Sequence, residues 1–487
     1  MAKKLFKDIV STGGVYFVVS IIGAISGILF PRLLGRDQWG LWSITIGLVG
    51  LLAPIAQVAM STTLTTFISK FKDDKEKVSS YINSAYVIAI TSSTLVGVTL
   101  IILRGYLSKS VFQDERLSLF ILLAAGIIFF KQINVINRDY FRGFRDFKRY
   151  NLLKLMPTLF IFFLTLAFLL IFSYRAIYIV ISHFSVAGLF CIAVLIYLFK
   201  KEEPFKLFRI PSKGITKKVL KFGTPLIFTM TFMNIMKSMD RVLLGFFLET
   251  PDVGVYSVAA GIPLMIGSMF TPIGTVLLPT FSKRESKGES SESLLREVFS
   301  FLLFVSIPMV IFIILFSKDI LHLIFGEEYV VGATVLSITS IEIFLYSGER
   351  LLGASIVATE KTLAYALGIG SSTGTNVILN IVLIPLFGIE GAAIGTVISF
   401  FVLFSIMVAI SKRDYRFDIL QIEIKSIFIL LTATLISGIT LKRYLEGYVS
   451  FVVTLFVFIL LMLVFAELSA LKWYEQLKTH IKEWFFL

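Results

Sequence analysis

The sequence predicts an all-α, polytopic membrane protein. Of its 487 residues, 56% are hydrophobic and 16% are charged, and the mean hydropathy is +0.88. Soluble domains have roughly 45–50% apolar and about 25% charged residues. Continuous apolar runs long enough to cross a bilayer as helices recur from end to end, whereas a barrel would need short alternating segments. This composition excludes a soluble enzyme and a disordered chain.

The apolar runs predict about fourteen transmembrane helices. Their connections are short, so no loop can house a separate catalytic domain. The first run is too long for a cleaved signal peptide and is predicted to stay as a span. The predicted spans are roughly 9–31, 39–66, 78–103, 117–137, 150–172, 176–199, 219–247, 253–281, 297–317, 330–358, 362–386, 390–410, 422–441 and 447–466.

The placement of Lys and Arg predicts the orientation in the membrane. With the N-terminus inside, 32 of these residues fall in inside segments and nine in outside segments. Cytoplasmic loops are enriched in Lys and Arg, so both termini are predicted to be cytoplasmic and the location to be the cell (inner) membrane. The net charge of +14 is explained by this asymmetry, and we predict no nucleic-acid partner.

An internal repeat is indicated by two motifs that share an offset of 214 residues. Gly40-Leu41-Trp42-Ser43 aligns with Gly254-Val255-Tyr256-Ser257, and Leu64-Thr65-Thr66-Phe67 aligns without a gap with Leu278-Pro279-Thr280-Phe281. Six spans separate the copies, so the repeat is parallel, as in carriers whose halves rock about a central site. The predicted parts are a six-helix bundle (1–210), a second six-helix bundle (211–411), two extra helices (412–466) and an interfacial cytoplasmic helix (467–487).

Span 7 carries a polar stripe inside an otherwise apolar helix. Asn234, Lys237 and Arg241 fall on one face, with Asp240 at its edge. Charges in the bilayer are costly, so this stripe predicts a cavity wall that attracts an anionic group. The alternative is a Lys237–Asp240 pair that braces the bundle. Gln57 in span 2 is a further candidate for the cavity.

Span 4 carries a similar stripe. Lys131 and Asn134 are candidate cavity residues. Arg138, Arg142 and Arg145 alternate with aromatic residues at the predicted cytoplasmic end, a pattern that suits a lipid phosphate. The alternative for these arginines is ordinary anchoring at the inner surface.

Other polar side chains lie inside the predicted spans. Glu342 and Glu349 in span 10 are candidate coupling carboxylates. Asn376 and Asn380 in span 11 can either join helices or hydrogen-bond sugar hydroxyls within the cavity. Lys154 is predicted to extend its ammonium group towards the interface.

No enzyme signature occurs in the sequence. There is no Walker loop, no His–Glu zinc motif and no nucleophile with a base. The single cysteine, Cys191, excludes a disulfide framework. We predict no catalytic residue, no cofactor and no metal site.

Three segments resemble signatures of the polysaccharide and oligosaccharide flippases, and the resemblance extends over nearly the whole chain. The first is Leu33-Leu34-Gly35-Arg36-Asp37-Gln38-Trp39-Gly40-Leu41-Trp42-Ser43. The second is Met239-Asp240-Arg241-Val242-Leu243-Leu244-Gly245 with Val253-Gly254-Val255-Tyr256-Ser257. The third is Asn376-Val377-Ile378-Leu379-Asn380-Ile381-Val382-Leu383-Ile384-Pro385 with Gly388-Ile389-Glu390-Gly391-Ala392-Ala393.

This resemblance implies membership of the multidrug/oligosaccharidyl-lipid/polysaccharide exporter superfamily, on the O-antigen-type lipid-linked oligosaccharide flippase side. It implies translocation of a polyprenyl-phosphate or pyrophosphate glycan from the cytoplasmic to the outer leaflet by alternating access. The implied partners are the lipid-linked oligosaccharide, membrane lipids and glycan assembly enzymes, and the expected state is a monomer. Asp240 and Arg241 match the family pattern directly, whereas Lys237 and Lys131 are nominated by their chemistry.

Three rival functions remain. A cation-coupled multidrug or metabolite antiporter of the same superfamily would use Asp240 or Glu342. The first span carries no carboxylate, which disfavours it. A membrane glycosyltransferase or ligase would need a large outer loop, and a passive scaffold would not need buried charges.

Overall fold

A computed structural model describes most of the chain and confirms the all-α, polytopic class. The described part contains helices and no strand, and eight of its helices are long and apolar enough to cross a membrane. Ser11–Lys70 and Thr362–Arg413 each contain two predicted spans. The predicted interfacial helix 467–487 and most of the connection 200–218 lie outside the described residues. The described residues are 2–58, 60–201, 213–415, 424–444 and 452–461.

The chain divides into two compact units, residues 1–254 and 255–487. α8 (Thr250–Ala259) contains the boundary. The other helices of the first unit are α1 (Ala2–Gln57), α2 (Met60–Lys70), α3 (Lys75–Tyr106), α4 (Leu117–Gly143), α5 (Phe147–Ile171), α6 (Ile177–Lys201) and α7 (Lys213–Phe247). The other helices of the second unit are α9 (Gly261–Ser268), α10 (Thr271–Ser286), α11 (Glu292–Phe325), α12 (Ala333–Thr339), α13 (Glu342–Ala358), α14 (Thr362–Tyr415), α15 (Ile424–Tyr444) and α16 (Val452–Leu461).

Glycines divide the two longest helices where the sequence predicts a turn between spans. α1 is interrupted at Gly35, which has φ 75° and ψ 168°. α14 is interrupted at Gly388, which has φ 59° and ψ −136°. Both glycines belong to the quoted signature segments, and positive φ strains any residue with a Cβ. These signatures therefore encode sharp helix-to-helix kinks.

Aspartates define the starts of α3 and α5. The side chain of Asp74 accepts a hydrogen bond from the backbone N–H of Lys77 at 3.0 Å. The side chain of Asp146 does the same for Arg149 at 3.1 Å. Each satisfies a backbone donor that the first turn of a helix leaves unpaired. The aspartates end the turns that precede these spans, so the sequence itself sets where the spans begin.

The break between α1 and α2 is stabilised by side chains of neighbouring helices. Val58 adopts a φ of 50° there, directly after the last residue of α1 and four residues after Pro54. The amide of Gln132 donates to the carbonyl of Ala53 at 3.2 Å, and the hydroxyl of Ser92 donates to the carbonyl of Ala56. A break inside a membrane leaves carbonyls without helical partners, so these donors lower its cost.

A hydrophobic core joins α2, α3, α4 and α6 on the predicted cytoplasmic side of the first unit. Phe67 and Tyr81 stack with ring centroids 4.4 Å apart. Ile133, Ile136 and Cys191 are buried in the same cluster. This core packs against one face of α4. The opposite face of that helix therefore points away from the core.

A charged network connects the predicted outer ends of the first unit. The guanidinium of Arg116 donates to both carboxylate oxygens of Asp37, at 2.7 and 2.8 Å, and to Asp114 at 2.7 Å. The hydroxyl of Thr250 donates to Asp114 at 3.0 Å. Burial by itself raises the pKa of Asp114, but the hydrogen bonds from Arg116 and Thr250 outweigh it and lower that pKa below 3.8.

Candidate functional site

A cavity of about 320 Å³ lies inside the first unit. It is formed by α1, α4, α5 and α6 and contains the polar face of α4. Its volume lies at the lower end of the range for small-molecule sites, which suits a headgroup better than a whole oligosaccharide. The lining residues are Val19, Ile46, Ile127, Lys131, Asn134, Val135, Asn137, Arg138, Leu153, Lys154, Pro157, Thr158, Ile161, His183, Ala187, Phe190 and Val194.

Helical spacing places the polar residues of α4 on the cavity. Lys131, Asn134 and Arg138 are three and four residues apart and therefore share one face. The rise of the helix puts about 10 Å between the first and the last of them. The amide of Asn134 donates to the carbonyl of Ala187 on α6 at 2.8 Å, which fixes α4 and α6 at this level.

Lys154 on α5 adds a third cation to the cavity. The sequence predicts that Lys154 extends towards the interface, but its ammonium group lies against the ring of Tyr16 on α1. The hydroxyl groups of Tyr16 and Tyr150 are 3.1 Å apart, and the guanidinium of Arg138 lies 5.6 Å from the centre of the Tyr150 ring. Two aromatic side chains thus hold two of the three cations in place.

The described residues that line the cavity include no carboxylate. Two buried donors among them have no hydrogen-bond partner in the described part of the chain, Nδ2 of Asn137 and Nε of Arg138. Asn137 is 1% exposed, and its carbonyl oxygen accepts a hydrogen bond from Tyr86. Unsatisfied buried donors are costly, and so are the charges of Lys131 and Lys154, for which no carboxylate lines the described part of the cavity. The cavity therefore has the chemistry of an anion-binding site.

His183 also lines the cavity, although no pattern in the sequence indicates a role for it. Its Nδ1 lies 2.9 Å from the carbonyl of Ile179, one helical turn earlier. Its ring lies 4.7 Å from the ring of Trp42 on α1. Trp42 belongs to the first signature segment, so this segment packs against a residue of the cavity wall as well as forming the turn.

The three arginines predicted as a phosphate-attracting mouth occupy different environments. Arg138 lines the cavity. Arg142 is half-buried, lies 3.3 Å from the carboxylate of Asp139 and donates to the hydroxyl of Thr65 at 2.9 Å. Arg145 is exposed in the turn after α4, where it has a φ of 61°. Arg138 and Arg145 are thus accessible to a ligand, whereas Arg142 is engaged within the unit.

The polar stripe of span 7 lies on α7, within the first unit. Asp240 is 7% exposed, whereas Lys237 is exposed and forms no ion pair within the described residues. The stem of Arg241 packs on α1, since a Cβ on Gly47 would lie 3.1 Å from the Arg241 Cβ. Asn234 donates to the carbonyl of Met230 in its own helix at 2.8 Å. The role of this stripe stays a prediction.

The asparagines of span 11 form hydrogen bonds inside the second unit. Asn376 and Asn380 are fully buried. The amide of Asn380 donates to the Asn376 side chain at 3.2 Å, and the amide of Asn376 donates to the hydroxyl of Thr396 at 3.3 Å. Thr396 lies beyond the kink in α14. These contacts favour the helix-joining alternative over contact with sugar hydroxyls.

The candidate coupling carboxylates Glu342 and Glu349 are both buried in α13. Glu349 accepts a hydrogen bond from the hydroxyl of Tyr365 at 2.7 Å and lies 2.5 Å from Nε of Arg350. Gln57 is half-buried at the end of α1. Within the described residues, no group of three His, Cys, Asp or Glu is placed to hold a metal ion.

Comparison with known proteins decides the family. The family model described as "Polysaccharide biosynthesis protein" matches residues 5–285, which is more than half of the chain. This chain belongs to the polysaccharide biosynthesis protein family. The model described as "Lipid II flippase MurJ" matches residues 147–462 of this family member, also more than half.

The relatives of this polysaccharide biosynthesis protein include archaeal membrane proteins. It is 31% identical over 164 residues to the "Probable low-salt glycan biosynthesis flippase Agl15" of Haloferax volcanii, which is 33% of this chain and 35% of the relative. The match therefore spans about a third of that relative's length. It is 21% identical over 412 residues, 80% of both chains, to "Uncharacterized membrane protein MJ1068" of Methanocaldococcus jannaschii.

Solved structures show the same fold for this family member. "Lipid II flippase MurJ, inward closed conformation" superposes with a TM-score of 0.76 at 17% identity, covering 96% of this chain and 99% of that chain. An inward-facing "multidrug resistance MATE family transporter of the MOP superfamily" superposes with a TM-score of 0.68 at 16% identity, covering 82% and 94%. At these identities the likeness shows the helical transporter fold.

Proposed function

We propose that this protein flips a lipid-linked oligosaccharide from the cytoplasmic to the outer leaflet of the cell membrane by alternating access. The observation that carries the proposal is the cavity of the first unit. Among the residues that the structure describes, its lining offers three cations, two donors without a partner and no carboxylate. A polyprenyl phosphate or pyrophosphate is the anion that such a membrane-embedded site suits. The names of the flippase relatives point to the same substrate class.

The size and chemistry of the cavity indicate where each part of the substrate lies. The phosphate lies among Lys131, Arg138 and Lys154, where charge-assisted hydrogen bonds compensate for its loss of water. The polyprenyl tail stays in the bilayer, since moving it into water would cost about 0.8 kcal/mol per CH₂ group. Translocation makes and breaks no covalent bond, so the protein acts as a transporter rather than as an enzyme.

The proposal also includes the orientation, the oligomeric state and the partners of the protein. Both termini face the cytoplasm, as the Lys and Arg asymmetry predicts. The protein acts as a monomer and receives its substrate from glycan assembly enzymes at the inner leaflet. The rival function, a multidrug antiporter, is supported only by the similarity in fold to the MATE transporter. A cationic drug would be repelled by Lys131, Arg138 and Lys154.

Reconstitution tests this function. The full-length protein is placed in proteoliposomes with a fluorescent polyprenyl-pyrophosphate oligosaccharide, and its arrival in the opposite leaflet is followed with a membrane-impermeant quencher. We expect the double variant Lys131→Gln, Lys154→Gln to slow translocation by at least about tenfold, since each lost charge-assisted bond weakens phosphate capture.

The matched control is Lys148→Gln, which removes the same charge from an exposed position at the start of α5. We expect it to translocate at the wild-type rate. Equal rates for the double variant and the wild type would refute the assignment of the cavity. A wild-type protein that exports a cationic dye under a proton or sodium gradient, and moves no glycolipid, would establish the antiporter instead.

A further inference from the structure

Asp139 is a buried acidic residue beside the cavity that the proposed function does not use. It follows Arg138 on α4 and is 0% exposed. The hydroxyl of Ser61 donates to its Oδ2, and Nε of Arg142 lies 3.3 Å from its Oδ1. Nε of Arg138 lies 4.0 Å from the same oxygen. One carboxylate therefore faces two arginines, of which only Arg138 also lines the cavity.

The ion pair between Asp139 and Arg138 is incomplete. Oδ1 of Asp139 and Nε of Arg138 both lack a hydrogen-bond partner within the described part of the chain. A separation of 4.0 Å is too long for a hydrogen bond between them. The carboxylate thus balances the charge of Arg138 and leaves its Nε donor available. An anion in the cavity could supply the hydrogen bond that the carboxylate does not.

We propose that Asp139 is a positioning residue, an internal counter-ion that orients Arg138 before the substrate binds and yields it to the phosphate of the substrate. This inference rests on the proposed function and adds the competitor that the phosphate must displace. Two anions near one guanidinium repel each other, so the presence of Asp139 weakens phosphate binding and eases release. A site without that competitor would capture phosphate tightly and release it slowly.

The remaining contacts of Asp139 explain how the carboxylate stays buried when Arg138 turns to a ligand. Arg142 still pairs with it, and Ser61 on α2 still donates to it. Arg142 is itself held by Thr65 on the same helix, at 2.9 Å. Removal of one partner of a buried charge is costly when no other partner remains, and here two remain.

The test measures binding of inorganic pyrophosphate to the full-length protein in detergent by isothermal titration calorimetry. We expect Asp139→Asn to bind pyrophosphate about tenfold more tightly than the wild type, because a competing anion is lost. We expect Arg138→Gln to bind it more weakly. In the Arg138→Gln background, we expect Asp139→Asn to change the affinity by less than about twofold, since contacting residues are coupled.

Unchanged or weaker binding by Asp139→Asn would overturn the inference, and so would an equal gain in both backgrounds. An equal gain would mean that the negative charge of Asp139 repels pyrophosphate directly, rather than by competing for Arg138. If both the wild type and Asp139→Asn fail to bind pyrophosphate, this inference and the phosphate site of the proposed function fail together. If the wild type binds and Asp139→Asn binds equally, only the counter-ion role fails.

A second variant keeps the inference testable if Asp139→Asn does not fold. Ser61→Ala removes one hydrogen bond that the carboxylate of Asp139 accepts, so this carboxylate interacts more strongly with the arginines. Because it then competes better with a bound anion, we expect pyrophosphate to bind a few-fold more weakly. The matched control is Ser69→Ala, which removes a hydroxyl that links the same two helices through the carbonyl of Gly143 at 3.2 Å. Unchanged binding by Ser61→Ala, or equal weakening by both variants, would overturn the proposal.

Discussion

Gly40 and Gly254 pack directly against each other, although 214 residues separate them. A Cβ on Gly254 would lie 3.1 Å from the backbone nitrogen of Gly40 and would collide with the carbonyl of Arg36. A Cβ on Gly40 would collide in the same way with the carbonyl of Thr250. Arg36 and Thr250 are also 214 residues apart, which is the offset of the predicted repeat. Each copy of the repeat therefore makes the same contact with the other copy.

We expect Gly40→Ala or Gly254→Ala to destabilise the protein by about 1–3 kcal/mol, because the colliding atoms belong to the backbone and cannot move aside. Thermal unfolding of the purified protein in detergent measures this loss. Gly27→Ala, in the same helix as Gly40, is the control because a Cβ there meets no atom within 4 Å. Equal unfolding temperatures for Gly27→Ala and Gly40→Ala would contradict the close approach.

The polar stripe of α7 gives a second prediction. We expect the double variant Lys237→Ala, Arg241→Ala to abolish surface glycan in cells, because an exposed cation and a half-buried one are lost from one face of the helix. Glycan staining of intact cells, normalised to the amount of protein in the membrane, measures this loss. Lys221→Ala removes an exposed charge earlier in α7 and should leave export intact. Normal export by the double variant would refute the assignment of the stripe to the substrate.

The network at the predicted outer ends gives a prediction about pH. Asp114 has a lowered pKa in the folded state, so its contribution to stability is present above the ordinary value of 3.8 and is lost as the pH falls through the lowered value. We expect Asp114→Asn to lower the unfolding temperature at pH 7 by about 1 °C, equivalent to about 1 kcal/mol or less after solvent screening.

The measurement compares Asp114→Asn with the wild type at pH 7 and at a series of pH values that fall below 3.8 and through the lowered pKa of Asp114. The difference should shrink once the pH has passed below that lowered pKa, because the folded wild-type carboxyl group is then protonated and resembles the amide. A difference that stays constant over this range would show that the charge of Asp114 does not stabilise the fold. Asp73→Asn, which removes an exposed carboxylate in the turn before α3, should show no difference at either pH.

The asparagines of α14 give a fourth prediction, which separates their two possible roles. We expect Asn376→Ala to cost about 0.6–1.7 kcal/mol of stability, because it removes the partner of Asn380 and the bond to Thr396. Glycan export per folded molecule should stay near the wild-type level. Thr375→Ala, at a half-buried neighbouring position, is the control. Loss of export in a fully stable Asn376→Ala protein would favour a place in the transport path.

The fold could be predicted from the sequence because a bilayer demands long apolar helices and leaves few alternatives. The cavity face of α4 could be predicted for a similar reason, since Lys131, Asn134 and Arg138 lie within a single helix and its period fixes their common direction. The turns at Gly35 and Gly388 also lie in segments that the sequence analysis singled out. These features all depend on local sequence.

Features that depend on packing between helices could not be predicted. Lys154 and His183 line the cavity from two other helices, and no spacing in the sequence connects them to α4. Asn376 could equally face a cavity or a neighbouring helix until its partner across the kink was known. Asp139 stands among arginines in the sequence, but its burial next to two of them depends on how α2 packs against α4.

The burial of Cys191 makes the native chain a convenient background for mapping its sidedness. It is the sole cysteine and is 2% exposed, so a membrane-impermeant maleimide should leave it unmodified in intact cells. A thiol introduced by Lys148→Cys or by Arg175→Cys would then be the main target of the reagent. Labelling at the second position and protection at the first would establish the direction in which the chain threads the bilayer, without any prior removal of native thiols.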